Sequence, residues 1–333
     1  MRDLQSVIPL LPRVTMCFSA QASFDLDKLK REYDALIDYQ VFADILEQRL
    51  TNNAIKIPKA MEANFLAPTT AVEERIANSI YQFRKAESER LEAELFKQTK
   101  RLADAERKLQ CKTTKAALDS QRIATKKITW AKGKLADLRR EKVEAKDSRI
   151  FPFQYAAVIV RKSGQNWIRP MRYHCRPSGK PASYDRRFDG LYNARRDNLR
   201  GFWKGQFGNS HALMRITGFY ENVARHDFER RALKEGEKPE NLVLAFHSQE
   251  RAMTVACLWS HWEQPDQPPL DSFAAITDEP PPEVSATGHD RCVIVLRDEA
   301  ASKWLGSEAM APEEIDAILD DRPSLYYEHR VAA

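Results

Sequence analysis

From Ala71 to Asp147 the chain runs without a proline and with a single glycine, Gly133. No other stretch restricts the fold as much. Ala, Glu, Lys, Leu and Arg dominate it, all residues of good helix propensity. Leu95, Leu102, Leu109 and Ala116 recur every seventh residue, the spacing of a coiled-coil seam. At "CKTTKAALDS" the pattern falters, and Thr113 or Thr114 can cap a second helix. The spacing predicts two antiparallel arms joined near residue 113, each of about 27 residues and about 40 Å long. Between Arg84 and Arg149 stand about 20 basic and about 11 acidic residues, so the hairpin is basic while the rest is slightly acidic. A solvated helical face is one reading of that charge, and an arm that grips DNA or a protein partner is the other.

Both ends of such a hairpin must return to one domain. Residues 71–147 are therefore expected to be an insertion in a discontinuous domain, 16–70 and 148–310, followed by a C-terminal helix and tail at 311–333. Residues 25–66 show apolar positions at helical spacing, and "APTTAVEERIANSI" is a good helix start. After "DSRIFPF" the texture changes to short β-type runs: "QYAAVIV", "NWIRPM", "LVLAFHS", "MTVACLW", "FAAITD" and "CVIVL". Short helices are expected at "NLRGFWKG" and "APEEIDAILDD". The fold class is α+β, with a mainly antiparallel sheet, flanking helices and the helical hairpin.

Several function classes drop out. No apolar run approaches the roughly 18 residues of a membrane span. The first fifteen residues carry two prolines and no small-residue cleavage site, so they do not read as a signal peptide. Five cysteines, odd in number and without a C-x-x-C pair, point to a reducing cytoplasm and away from disulfides or a Cys-type zinc site. His174, Cys175 and His261 lack metal-ligand spacing. There is no Walker loop or G-x-G-x-x-G string, so no cofactor is expected. The formal charge of +5 by itself identifies no partner. A cytoplasmic, nucleoid-associated monomer is the expectation.

Four strings carry chemistry: "MCFSAQ" from Met16, "YNARRDNL" from Tyr192, "GFYENV" from Gly218, and "GHDRCVIVL" from Gly288. Singly, each has a plain structural reading. In this order, they resemble the SOS-response-associated peptidase family, the abasic-site-processing proteins. The matching residues are Met16–Cys17, Asn193–Ala194–Arg195, Gly218 to Glu221, Leu258–Trp259 and His289–Asp290–Arg291. The resemblance covers residues 150–305 and the start near Cys17, and it leaves out the helical hairpin. "MCFSAQ" lacks the common Gly-Arg after the Cys, and "HDRCVIVL" lacks the usual Met-Pro.

The resemblance implies a protein that captures abasic sites in single-stranded DNA. An abasic sugar equilibrates with a ring-opened aldehyde. An α-amine, with a pKa near 7.7–8.0, is partly unprotonated at neutral pH and can form an imine with it. The thiol of an N-terminal Cys can then close a thiazolidine ring. An internal Cys17 has only an amide nitrogen, so residues 1–15 are expected to be absent or removed together with Met16. By resemblance, Glu221 is the catalytic carboxylate, His289 the proton-transfer partner, and Asn193 the group that holds the N-terminal residue. Arg195 and Arg291, with Arg196 and Arg172 as further candidates, would hold phosphates. Trp203, Trp259 and Trp262 could stack on bases, although core packing is the plainer reading. Two competing functions remain: a cysteine peptidase, with Cys17 as nucleophile, acting on its own leader or on another chain, and a non-enzymatic scaffold whose hairpin recruits DNA or a protein.

Overall fold

The computed structural model describes residues 19–249 and 252–332, so Met16 and Cys17 lie outside the described residues. The chain divides into two compact units. One is formed by the described residues up to Ile37 and from Ser148 onward, the other by Asp38–Asp147.

The first unit opens with β1 (Ser19–Ala22), α1 (Leu26–Glu32) and β2 (Ala35–Ile37). The second unit follows, with α2 (Tyr39–Thr51), α3 (Lys59–Glu62), α4 (Ala71–Cys111) and α5 (Lys115–Arg139). The first unit then resumes with β3 (Arg149–Ile150), β4 (Tyr155–Lys162), β5 (Gln165–Tyr173), β6 (Asn193–Arg195) and β7 (His211–Ala224). It ends with β8 (Asn241–Ser248), β9 (Met253–Gln264), β10 (Gln267–Asp278), β11 (Cys292–Val293), β12 (Val295–Leu296) and β13 (Tyr327–Val331).

Strands β9, β10, β5, β4 and β7 close on themselves, because β7 also pairs with β9. The closed ring leaves no free edge among these five strands. Only the β10–β5 contact in it is parallel. The expected α+β class with a mainly antiparallel sheet is what the chain forms. Tyr155–Val160 and Met253–Leu258 are buried at every position, because the strands are covered on both faces; such strands read as continuous apolar runs rather than alternating ones. "CVIVL" divides into β11 and β12 on either side of Ile294. "NLRGFWKG" forms turns after a short 3₁₀ segment, not the expected helix; three glycines (Gly201, Gly205 and Gly208) within its surroundings disfavour one. Residues 35–37, expected to be helical, form β2, which pairs in parallel with β5.

In the second unit, α4 starts on a capping box. Thr70 Oγ1 accepts from Glu73 N, and the Glu73 carboxylate accepts from Thr70 N at 3.0 Å. Thr114 caps α5 through Ala117 N. The turn falls at 112–114 as expected, but the arms are unequal, 41 and 25 residues. The expected row Leu95–Leu102–Leu109 is only half-buried, and Ala116 is exposed. The deeply buried rows are Leu91–Gln98–Ala105 on α4 and Ala117–Ala124–Ala131 on α5. Both rows keep the heptad spacing. Alanine's small side chain lets the two backbones approach, so the burial shifts to that side of the seam. Buried Glu62 joins this hairpin to the helices before it, accepting from Arg49 Nη1 at 2.5 Å and Arg84 Nη2 at 2.6 Å. The expected insertion, 71–147, is thus the later part of a compact unit that begins at Asp38.

Candidate active site

Strand β7 places Glu221. Phe219, Glu221 and Val223 alternate as buried positions along it. Two residues before Phe219's neighbour Tyr220, Gly218 lies where a Cβ would meet His247 Nδ1 at 2.6 Å and the Phe246 carbonyl at 2.8 Å. Only glycine lets β7 and β8 approach so closely there. Antiparallel pairing sets Tyr220 opposite Ser19 and Glu221 opposite Leu244. The strand carrying the carboxylate therefore lies between β8 and the start of β1.

His289 follows Gly288, whose φ of +90° would strain any other residue. Its Nε2 is 3.1 Å from Glu221 Oε2, and both side chains are buried. Its Nδ1 is 2.8 Å from the Arg291 carbonyl, a contact that orients the ring by donating Nδ1–H. Burial pushes the Glu221 carboxyl up from its ordinary value, and the hydrogen bond to His289 only partly offsets this. Burial pushes His289 down, but the hydrogen bond and charge of Glu221 outweigh it, so its net shift is upward. A carboxyl and an imidazole in such buried contact can hold one proton between them. Such a pair can give or take a proton near neutrality.

Tyr173, at the end of β5, is fully buried, and the nearby Tyr192 and the charge of Glu221 add to the burial that raises its hydroxyl. Its ring packs edge-on against Tyr192, the residue before Asn193. Asn193 pairs along the backbone with Ala275, and its buried Oδ1 has no hydrogen-bond partner among the described residues. Arg291 is mostly buried, and its Nε lies 3.5 Å from Asp290 Oδ2, an ion-pair contact without hydrogen-bond geometry. Arg195 is exposed and doubly bonded to Asp197. Arg196 is held by Asp278 and Asp320, and Arg172 by Asp185 and the His174 carbonyl. Both therefore already serve carboxylates of the fold. Trp203 and Trp262 are buried, and Trp262 donates to the Lys180 carbonyl.

Arg149 had no signal in the sequence. Its guanidinium stacks on Tyr220 at 3.7 Å and donates from Nε to Ser19 Oγ at 3.0 Å. Among the described residues it has no carboxylate partner. It stands where β1 begins, two residues along the chain from Cys17. No motif marks it, because its proximity arises from β1–β3 pairing across more than a hundred residues.

Three of the other thiols are poor nucleophiles. Cys175, Cys257 and Cys292 are buried, and burial raises all three, Cys175 to about 12. Cys111 is exposed at the end of α4. Among the described residues no cluster of three or more His, Cys, Asp or Glu could hold a metal ion, and no helix is long and apolar enough to cross a membrane.

Residues 109–332 match the family model described as SOS response associated peptidase (SRAP). No curated protein matches the chain. A crystal structure of a Bordetella bronchiseptica protein is similar at a TM-score of 0.44 and 16% identity, over 58% of this chain and 89% of that one. A phage-related protein from the same organism is similar at 0.42 and 18% identity, over 55% of this chain and 80% of that one.

Proposed function

The chain belongs to the SOS response associated peptidase family, and from that premise we propose that it captures abasic sites in single-stranded DNA through an N-terminal Cys17. Membership supports a DNA-damage-related role. The finer reading rests on one observation: the buried Glu221–His289 pair stands one residue from the point where Ser19 meets β7. Cys17 is two residues upstream, so covalent geometry alone limits its Cα to about 7.6 Å from that of Ser19.

The α-amine of Cys17 attacks the aldehyde carbon of the opened sugar, and the carbinolamine loses water to give an imine. The thiol sulfur then adds to the imine carbon, and its proton passes to the nitrogen. The product is a five-membered thiazolidine. The loss of water needs a proton delivered to the departing hydroxyl and one removed from nitrogen. Glu221 and His289 supply that exchange, and Asn193 Oδ1, which no described residue engages, is an acceptor for an amine N–H. The chemistry requires a chain that starts at Cys17. The same pair could assist hydrolysis of the Met16–Cys17 bond, which would join the family's peptidase name to the DNA chemistry.

The test is a denaturing gel of protein beginning at Cys17 with an abasic oligonucleotide. Wild type should give a heat-stable shifted band. Cys17→Ala should give only an imine that borohydride must trap. A wild-type protein without a band, or an equally stable band from Cys17→Ala, would refute the reading.

A further inference from the structure

The charge of the hairpin is not spread evenly. From Lys97 to Lys134, around the turn, there are twelve Lys and Arg residues and three carboxylates, Asp104, Glu106 and Asp119. Two of these three are already paired, Asp104 with Arg107 and Asp119 with Arg122. The acidic residues of the hairpin otherwise cluster toward its base, where Glu87, Glu92 and Asp137 pair with Arg90, Arg139 and Arg140. A face kept charged only for solubility would mix the signs.

Near the turn, α4 and α5 enclose a cleft of about 500 Å³ whose lining includes Lys97, Lys100, Arg101 and Lys108. Lys97, Lys100 and Lys108 are exposed. Three large aromatic side chains are exposed on the hairpin: Tyr81 near the start of α4, and, farther along, Phe96 at 75% and Trp130 at 45%. On a helix, residues four apart share a face. Phe96 thus shares its face with Lys100, and Trp130 shares its own with Lys126 and Lys134. The seam does not use these aromatics, because alanines fill it on α5.

We propose that the distal part of the α4–α5 hairpin is a separate binding surface for single-stranded DNA, with lysines on the phosphates and Phe96 and Trp130 stacking on bases. Cations at helical spacing beside exposed aromatic faces suit a strand whose bases are unpaired. A duplex would offer phosphates but hide the bases. The proposal takes only the choice of DNA as the polyanion from the proposed function.

The test uses the full chain and an undamaged, fluorescently labelled oligothymidine, with anisotropy read over a salt series. The triple variant Lys97→Gln, Lys100→Gln, Lys108→Gln should bind at least about tenfold more weakly at low salt. Its log–log salt slope should flatten by about 2, roughly 0.7 for each lost phosphate contact on a single strand. Trp130→Ala should weaken binding about fivefold or more with the salt slope unchanged. An unchanged affinity and slope in the lysine variant, with helicity by circular dichroism equal to wild type, would overturn the proposal. Retained oligothymidine binding with lost binding to a poly-glutamate peptide would assign the surface to an acidic protein and overturn it as well. The probe has no abasic site, so the result is independent of adduct formation. A protein that binds it through the hairpin yet makes no adduct removes the proposed function and leaves this one.

Discussion

His289 Nε2 stands 3.1 Å from Glu221 Oε2, with both side chains buried and the imidazole held from its other side by the Arg291 carbonyl. Glu221→Gln keeps the shape and removes the charge that raises His289. The adduct rate should fall about 10²–10⁴-fold. His289 in the wild type stays protonated to a higher pH than an ordinary histidine. Its inflection in the pH–rate profile should therefore move toward acid in the variant. An unmoved inflection would separate His289 from the rate.

Arg149 presents a guanidinium between Ser19 and Tyr220 that has no carboxylate partner among the described residues. Arg149→Met keeps much of the packing and loses the charge. The salt slope for single-stranded DNA should flatten by about 0.7, one phosphate contact. Arg149→Lys should restore the slope but not the stacking on Tyr220. Anisotropy titrations at three salt concentrations decide it.

Gly218→Ala should destabilise the barrel unit by about 1–3 kcal/mol, because the new methyl would meet the Phe246 carbonyl and His247. Urea unfolding measures this directly. Widening the β7–β8 contact also displaces Glu221, three residues on, so the adduct rate should fall with it.

His174 and His211 are buried, and burial pushes both down to about 4. The unfolded chain binds protons at these two sites from about pH 6.5 downward, whereas the folded chain does not until about pH 4. Their contribution is therefore present above pH 6.5 and is lost as pH falls from there toward 4, by roughly 3 kcal/mol for each site. Urea midpoints at pH 7 and pH 4.5 should differ in that direction. His211→Gln should lessen the difference.

Glu62 accepts from two guanidinium groups, and Arg49 is itself buried over the Phe83 ring. Glu62→Ala would leave a buried charge unpaired and should cost the helical unit about 3–5 kcal/mol. Loss of helical circular dichroism should then precede the loss of the near-ultraviolet signal from the barrel tryptophans.

The hairpin was legible because helix signals are local. Absent proline, a heptad repeat and Thr114 as a cap place both helices and the turn between them. The strands were legible as apolar runs for the same reason. Among the exceptions are β2, read as helical, and β7, whose "GFYENV" reads as a motif with polar members rather than as part of a 14-residue strand. Of the site residues, Glu221 and His289 were named from resemblance and do stand together. Arg172 and Arg196 were named in the same way, and the fold holds them in carboxylate networks.

The sequence by itself determined most of the long helices and strands, where the hairpin turns, and which side chains can do proton chemistry. Those properties depend on residues within a few positions of one another. Only the tertiary structure decided that the five strands close into a barrel, and that Glu221 and His289 meet in a buried place that shifts both protons. It also decided that Arg149, without a carboxylate partner among the described residues, stands beside Ser19, and that Leu91, Gln98 and Ala105 against the alanines of α5, rather than the predicted row, form the deep side of the seam. Pairing register, burial and charge compensation arise between residues far apart in the chain, and a pattern of neighbours carries no record of them.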